Sequence, residues 1–230
     1  MSFLRLKYFL FFLLCFGELF AQQLALVKKD GNYTFIDAEG KPTFSIKAKY
    51  VFAPDNGLIK AIRNDSTIFY NLKGKTELSF ATPVVSYFND GLATILPDSM
   101  EGFVNRNGEM VIPAQYNYAW QFSEGLAAVK VNGQFAYIDK NGNVVFDIEA
   151  EKCGPFKEGF AKVKKDGLWG FINKKGEWIC EAKYHSVINF SQGLAAVRFH
   201  DLWGFVDKNG NEKVKPQYKF VKDFREEIGR

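Results

Sequence analysis

An all-β fold of six tandem antiparallel units follows from three observations. A glycine opens GLIKAI at Gly57, GLATIL at Gly91, GLAAVK at Gly125, GFAKVK at Gly159 and GLAAVR at Gly193, each 34 residues after the last. Turns rich in Asx and glycine fall in the same register between apolar runs, and no segment carries the apolar period of an amphipathic helix. The same step links the aromatics Phe35, Phe69, Phe103, Tyr137, Phe171 and Phe205, so six copies of one unit account for nearly everything after the first two dozen residues.

In chain order, MSFLRLKYFLFFLLCFGELFAQQ comes first. Arg5 and Lys7 precede an apolar run from Tyr8 to Phe16, and small Ala21 stands before Gln22. That order of charge, apolar core and small residue is a secretory signal peptide, and the run is shorter than the roughly 20 residues needed to span a bilayer. Residues 1–21 are expected to be removed, and Leu14 before Cys15 argues against lipid attachment at that cysteine. Six repeats then fill 22–226, at 23–56, 57–90, 91–124, 125–158, 159–192 and 193–226, and residues 227–230 form a charged tail.

Within a unit, a strand such as LAAVKV is followed by a turn: Asp30-Gly31, Asn64-Asp65, Asp98-Ser99, Asn132-Gly133, Asp166-Gly167 or His200-Asp201. Asx-Gly between apolar runs marks a tight hairpin, because both residues tolerate positive φ. The second strand, such as FAYID, is apolar at two successive positions in every copy, so it faces packing on both sides. The next turn reads DAEG, NLKG, NRNG, DKNG, NKKG and DKNG, Asx first and glycine last, as an Asx-closed turn requires. A third short strand is apolar at Phe44, Leu78, Ile112, Phe146, Cys180 and Val214. A fourth segment ends in phenylalanine at Phe88, Phe122, Phe156, Phe190 and Phe224, with Pro54 in the first copy.

The pattern Phe-x-x-Gly-Leu-Ala-x-Val followed by Leu-Trp-Gly-Phe-Ile-Asn/Asp-x-x-Gly resembles the WG-repeat family of bacterial proteins. It is intact at Trp169-Gly170-Phe171 and Trp203-Gly204-Phe205, while Tyr33-Thr34, Thr67-Ile68, Glu101-Gly102 and Phe135-Ala136 fill the same slot elsewhere. The resemblance implies an all-β repeat protein, often exported, with no general enzymatic activity. A propeller-like ring is the expected arrangement, because no distinct capping segment is evident, with an open superhelix as the alternative.

Composition narrows the function. The chain carries +4, and removing residues 1–21 with Arg5, Lys7 and Glu18 leaves +3, too little concentrated charge for a nucleic-acid partner. No HExxH, paired CxxC, phosphate loop or GxSxG elbow is present, so no catalytic residue, cofactor or metal is expected. The six recurring Asx residues (Asp37, Asn71, Asn105, Asp139, Asn173 and Asp207) offer one side chain per turn, half of them neutral, which suits turns better than calcium. Cys153 and Cys180 replace residues that are apolar in the other copies and read as buried thiols, with a disulfide left open. His185 and His200 read as surface residues. Lys28, Lys130, Lys164 and Arg198 share one repeat position and form an edge of like charge.

Three aromatics break the repeat rule and are the candidate ligand anchors. Trp120 stands where other copies have Phe52, Ser86, Gly154, Ile188 and Lys222. Trp178 stands where they have Pro42, Thr76, Met110, Val144 and Glu212, and Phe199 replaces mostly Lys, Arg or Pro. An aromatic with no repeat-imposed packing duty suits a protein or glycan partner, set against idiosyncratic packing. The expected function is an exported, non-enzymatic binding or scaffold module of the periplasm or cell surface, with no transmembrane span in the mature chain. The alternatives are a propeller-type hydrolase and a purely structural envelope component.

Overall fold

The computed structural model describes residues 24–222 apart from Asp30. The expected signal peptide, the Asp30 turn position, Phe224 and the charged tail lie outside these residues. The described chain is all strand and turn, in six antiparallel sheets, and it divides into two compact units at Ser79–Phe80.

The first unit holds two sheets. One is β1 (Ala25–Lys29), β2 (Asn32–Ile36) and β3 (Pro42–Ile46); the other is β4 (Tyr50–Val51), β5 (Leu58–Arg63), β6 (Ser66–Asn71) and β7 (Thr76–Phe80). Phe35, Ile46, Val51, Ile59, Ala61 and Tyr70 form the core between them.

The second unit holds four sheets in the same order. They are β8 (Leu92–Ile95), β9 (Glu101–Asn105) and β10 (Met110–Tyr116); β11 (Tyr118–Ala119) to β12 (Ala127–Val131), β13 (Gln134–Ile138) and β14 (Val144–Ile148); β15 (Lys152–Cys153) to β16 (Phe160–Lys165), β17 (Leu168–Asn173) and β18 (Trp178–Tyr184); and β19 (Ser186–Val187) to β20 (Leu194–Phe199), β21 (Leu202–Asp207) and β22 (Glu212–Tyr218). Each apolar cluster joins one copy to the next. Tyr137 and Phe156 meet edge to face at 5.0 Å within one cluster, and Phe171 and Phe190 do so at 5.0 Å in the following one. The paired apolar positions of the second strand are both buried at Phe69-Tyr70, Phe103-Val104, Tyr137-Ile138 and Phe171-Ile172. Packing on both faces of the strand is the reason.

The turns follow their chemistry. Asn132-Gly133 (φ 49° and 88°) and Asp166-Gly167 (φ 50° and 79°) are left-handed at both central residues, as a two-residue hairpin demands. In all six Asx turns the side-chain oxygen of Asp37, Asn71, Asn105, Asp139, Asn173 or Asp207 accepts two backbone N–H bonds, from the second and fourth residues after it. Equal geometry from Asp and Asn shows that an oxygen acceptor, and not a charge, is what the turn needs.

A third turn carries a link between successive copies. Asp90, Glu124 and Glu158 each adopt positive φ, and each carboxylate accepts the N–H of the glycine in the following copy's equivalent turn: Gly125 at 2.7 Å, Gly159 at 2.9 Å and Gly193 at 2.9 Å. Lys174 and Lys208 pair with Glu124 and Glu158 at 3.2 and 3.1 Å. Asp90, Glu124 and Glu158 are thus clasps between neighbouring copies of the second unit.

Candidate functional site

The glycine of the Trp-Gly signature has a geometric cause. Opposite Gly102, Gly170 and Gly204 the third strand bulges: Glu101, Trp169 and Trp203 pair with Tyr116, Tyr184 and Tyr218, two residues beyond a regular register. The bulge folds over the glycine. A Cβ at Gly102 would sit 2.7 Å from Ile112 O and Ala114 N, and one at Gly170 or Gly204 would overlap the carbonyl oxygen of Cys180 or Val214. The bulge in turn buries Tyr116 and Tyr184 in the core. Where the slot holds Thr34 or Ala136 the register is regular, Tyr33 facing Ile46 and Phe135 facing Ile148, and the third strand is five residues long instead of seven. The sequence carries this signal, since tyrosine at 116, 184 and 218 accompanies glycine, while Ala48, Thr82 and Ala150 accompany its absence.

The aromatic of the slot is covered by its cross-strand cation. Lys28 lies over Tyr33 at 4.6 Å, Lys130 over Phe135 at 4.9 Å and Arg198 over Trp203 at 5.8 Å. Lys164 pairs with Glu151 at 3.2 Å, and Lys162 covers Trp169 at 5.7 Å instead. Where the slot holds Thr67 or Glu101, the cross-strand repeat position is apolar, Ile62 or Leu96. Three of the four cations in the row of like charge are therefore half of a cation–aromatic pair, and Phe171 is buried core. Phe205 is half-buried in the same repeat position.

Of the aromatics that break the repeat rule, Trp120 is 36% exposed and its indole Nε1–H donates to Cys153 O at 2.8 Å. Tyr118, 38% exposed, meets it edge to face at 5.8 Å. Beside them Glu101, in the tryptophan slot of the third copy, accepts the Ala119 N–H. Burial raises its carboxyl above the ordinary range, against the pull of that bond. Tyr118 is pushed up by burial and then by the Glu101 charge. The site is an aromatic pair fixed by a backbone bond with one carboxylate alongside. Tyr118 and Glu101 did not stand out in the sequence, because strand alternation hides which copy leaves its edge aromatic exposed.

Trp178 is half-buried, packs, as Phe146, Ile148 and Ala150 do, against the buried cluster that holds Tyr137, Phe156 and Ile172, and fills the space over Gly170. Phe199 is 44% exposed, with the His200 ring at 4.7 Å and the His185 ring at 6.0 Å. His185 has a turn-capping duty: its Nδ1 accepts the His200 N–H at 3.0 Å, as Asn117 does for Asn132 at 3.1 Å and Glu151 for Gly167 at 2.6 Å. Cys153 and Cys180 are free, buried and in separate clusters, and burial pushes the Cys153 thiol up to about 12. Among the described residues no group of three or more His, Cys, Asp or Glu could hold a metal ion, and no helix is long and apolar enough to cross a membrane.

A sequence model of the family described as WG containing repeat matches residues 102–135, 135–169, 169–203 and 203–230, more than half of the chain. No curated protein matches it. Among solved structures, Hsv2 of Kluyveromyces marxianus superposes with a TM-score of 0.56 at 9% identity, over 87% of this chain and 83% of that one. Hsv2 of Kluyveromyces lactis gives 0.53 at 9% identity, over 80% and 69%. A eukaryotic initiation factor gives 0.63 at 14% identity, over 85% of this chain but only 63% of its own. At such identities the likeness speaks to fold alone, and the fold is that of β-propeller blades.

Proposed function

The chain belongs to the WG-repeat family, and from that premise we propose that it is an exported, non-enzymatic binding or scaffold module that presents a rigid β-array to a protein or glycan of the cell envelope. The observation that carries this reading is the Tyr118–Trp120 pair. Its indole is already held by Cys153 O, so little conformational freedom is lost when a ligand arrives. The two rings offer an apolar face with polar edges, and Glu101 adds a carboxylate acceptor beside them. Repeat scaffolds of this kind supply stiffness from shared positions and selectivity from unshared ones. Export rests on the charge, apolar run and small-residue order of residues 1–21.

The test has two arms. Native protein should begin at Gln22 and fractionate with the envelope or medium; a cytoplasmic protein retaining residues 1–21 would overturn the export reading. Against envelope extract, Trp120→Ala and Tyr118→Ala should each lower partner capture at least about tenfold, the weight of a buried aromatic anchor. Equal capture by both variants and the parent would remove the aromatic pair from the binding site.

A further inference from the structure

The joint between successive copies is built the same way each time. One face of the later copy shares a cluster with the aromatics of the earlier: Ala161, Val163 and Ile172 with Tyr137 and Phe156, then Ala195, Val197 and Val206 with Phe171 and Phe190. The earlier copy also lends a short strand to the later one's first long strand, β11 to β12, β15 to β16 and β19 to β20. The first copy has the receiving face without its cover. Ala25 lies opposite Ile36 across β1 and β2, with Val27 on the same face. Val27 is 39% exposed where Val163 and Val197 are fully buried, and Ala25 is exposed where Ala161 and Ala195 are buried. Among the described residues β1 pairs with β2 alone, so one of its edges carries no short strand. The sixth copy has the cover without a face to receive it. Tyr218 is 47% exposed where Tyr184 is fully buried, and Val214 is half-buried where Cys180 is buried. Residues 220–221 stand in the repeat position of β11, β15 and β19 and belong to no strand.

We propose that the sixth copy of one molecule docks on the first copy of a second molecule of the same chain, with residues 220–221 added as a strand along β1. The occupant follows from the repeat itself: the two unfilled surfaces are the two halves of the joint that recurs inside the chain. Strand addition to an open sheet edge supplies the directional bonds, and burial of Val27 and Tyr218 supplies the apolar contact. Because the two molecules use different faces, the association runs head to tail. The joint is separate from the Tyr118–Trp120 pair and stands whether or not that pair binds.

Sedimentation of the mature protein should show a mass that rises with concentration. Val27→Glu spoils the receiving face and Tyr218→Glu the docking face, both at exposed positions outside the buried clusters. Each variant alone should self-associate at least about tenfold more weakly, since the joint would bury an unpaired carboxylate. Mixed in equal amounts, the two should form a one-to-one pair that grows no further, because each keeps the single face that the other lacks. That pairing also shows that both variants are folded. A parent that stays monomeric at every concentration, a variant that associates as the parent does, or a mixture no more associated than its components would each overturn the proposal.

Discussion

Gly170→Ala places a methyl group where the Cys180 carbonyl and the Trp178 ring already lie. The strand must flatten or retreat. Overpacking of this kind costs about 1–3 kcal/mol. Flattening also draws Tyr184, fully buried beside Phe171 and Cys180, out of its core, and losing a buried aromatic costs about 3–5 kcal/mol when complete. Against this, alanine lowers the entropy of the unfolded chain and returns about 0.4–1 kcal/mol. With Tyr184 partly displaced, the net loss is about 3 kcal/mol, and melting should fall by roughly 6–12 °C at 2–4 °C per kcal/mol. Calorimetry gives the melting temperature, and near-ultraviolet circular dichroism follows the tyrosine environment. The paired control is Ala136→Gly in the fourth copy, whose third strand has no such bulge; it should cost only about 0.5–1 kcal/mol. A Gly170→Ala protein that melts within about 2 °C of the parent, with its near-ultraviolet signal intact, refutes the bulge as the reason for the glycine.

Asn173→Ala removes the acceptor for the Lys175 and Glu177 N–H groups and should cost about 1–2 kcal/mol in urea denaturation, whereas Asn173→Asp keeps that acceptor but sets a carboxylate against Glu177, whose Oε2 the Asn173 amide bonds at 2.7 Å, and should recover only part of the loss. Asp139 is held below the ordinary carboxylate range by the Asn143 side-chain amide first and then by backbone N–H groups. A depressed folded value means stability that is present above the unfolded value of about 3.9 and is lost as pH falls through the folded one. Asp139→Asn keeps the turn and should flatten that acid limb of a stability–pH curve; an unchanged limb counts against the assignment. Cys153 and Cys180, buried with raised thiols, should resist a thiol reagent at pH 8 in the native protein and react promptly in denaturant, so fast native labelling contradicts their burial.

The repeat register, the Asx turns, the glycine exits and the buried thiols were legible because each rests on local rules that six internal copies repeat. The meaning of the Trp-Gly pair was not. Gly170 answers to the path of Cys180 and Glu181 on a neighbouring strand, and only the co-occurrence of glycine with Tyr116, Tyr184 and Tyr218 hints at it in one dimension. Likewise the row Lys28, Lys130, Lys164 and Arg198 suggested an edge of like charge. Strand pairing sets each cation opposite an aromatic, a register that composition does not reveal. Trp120 and Trp178 looked alike as rule-breakers, and burial separates them: one third of Trp120 faces solvent, while Trp178 packs over Gly170. Exposure depends on what the next copy brings, and Cys153 O beside Trp120 comes from that copy.

The chain has four tryptophans, so its indole N–H groups give four resolvable signals in a ¹⁵N–¹H spectrum: Trp120, Trp169, Trp178 and Trp203. Titration with the envelope component captured by the purified protein tests directly whether binding uses what the copies do not share. The Trp120 signal should shift and saturate while Trp169 and Trp203 stay in place. Movement of Trp169 and Trp203 with a stationary Trp120 would contradict it, and would put the ligand on the repeat signature itself.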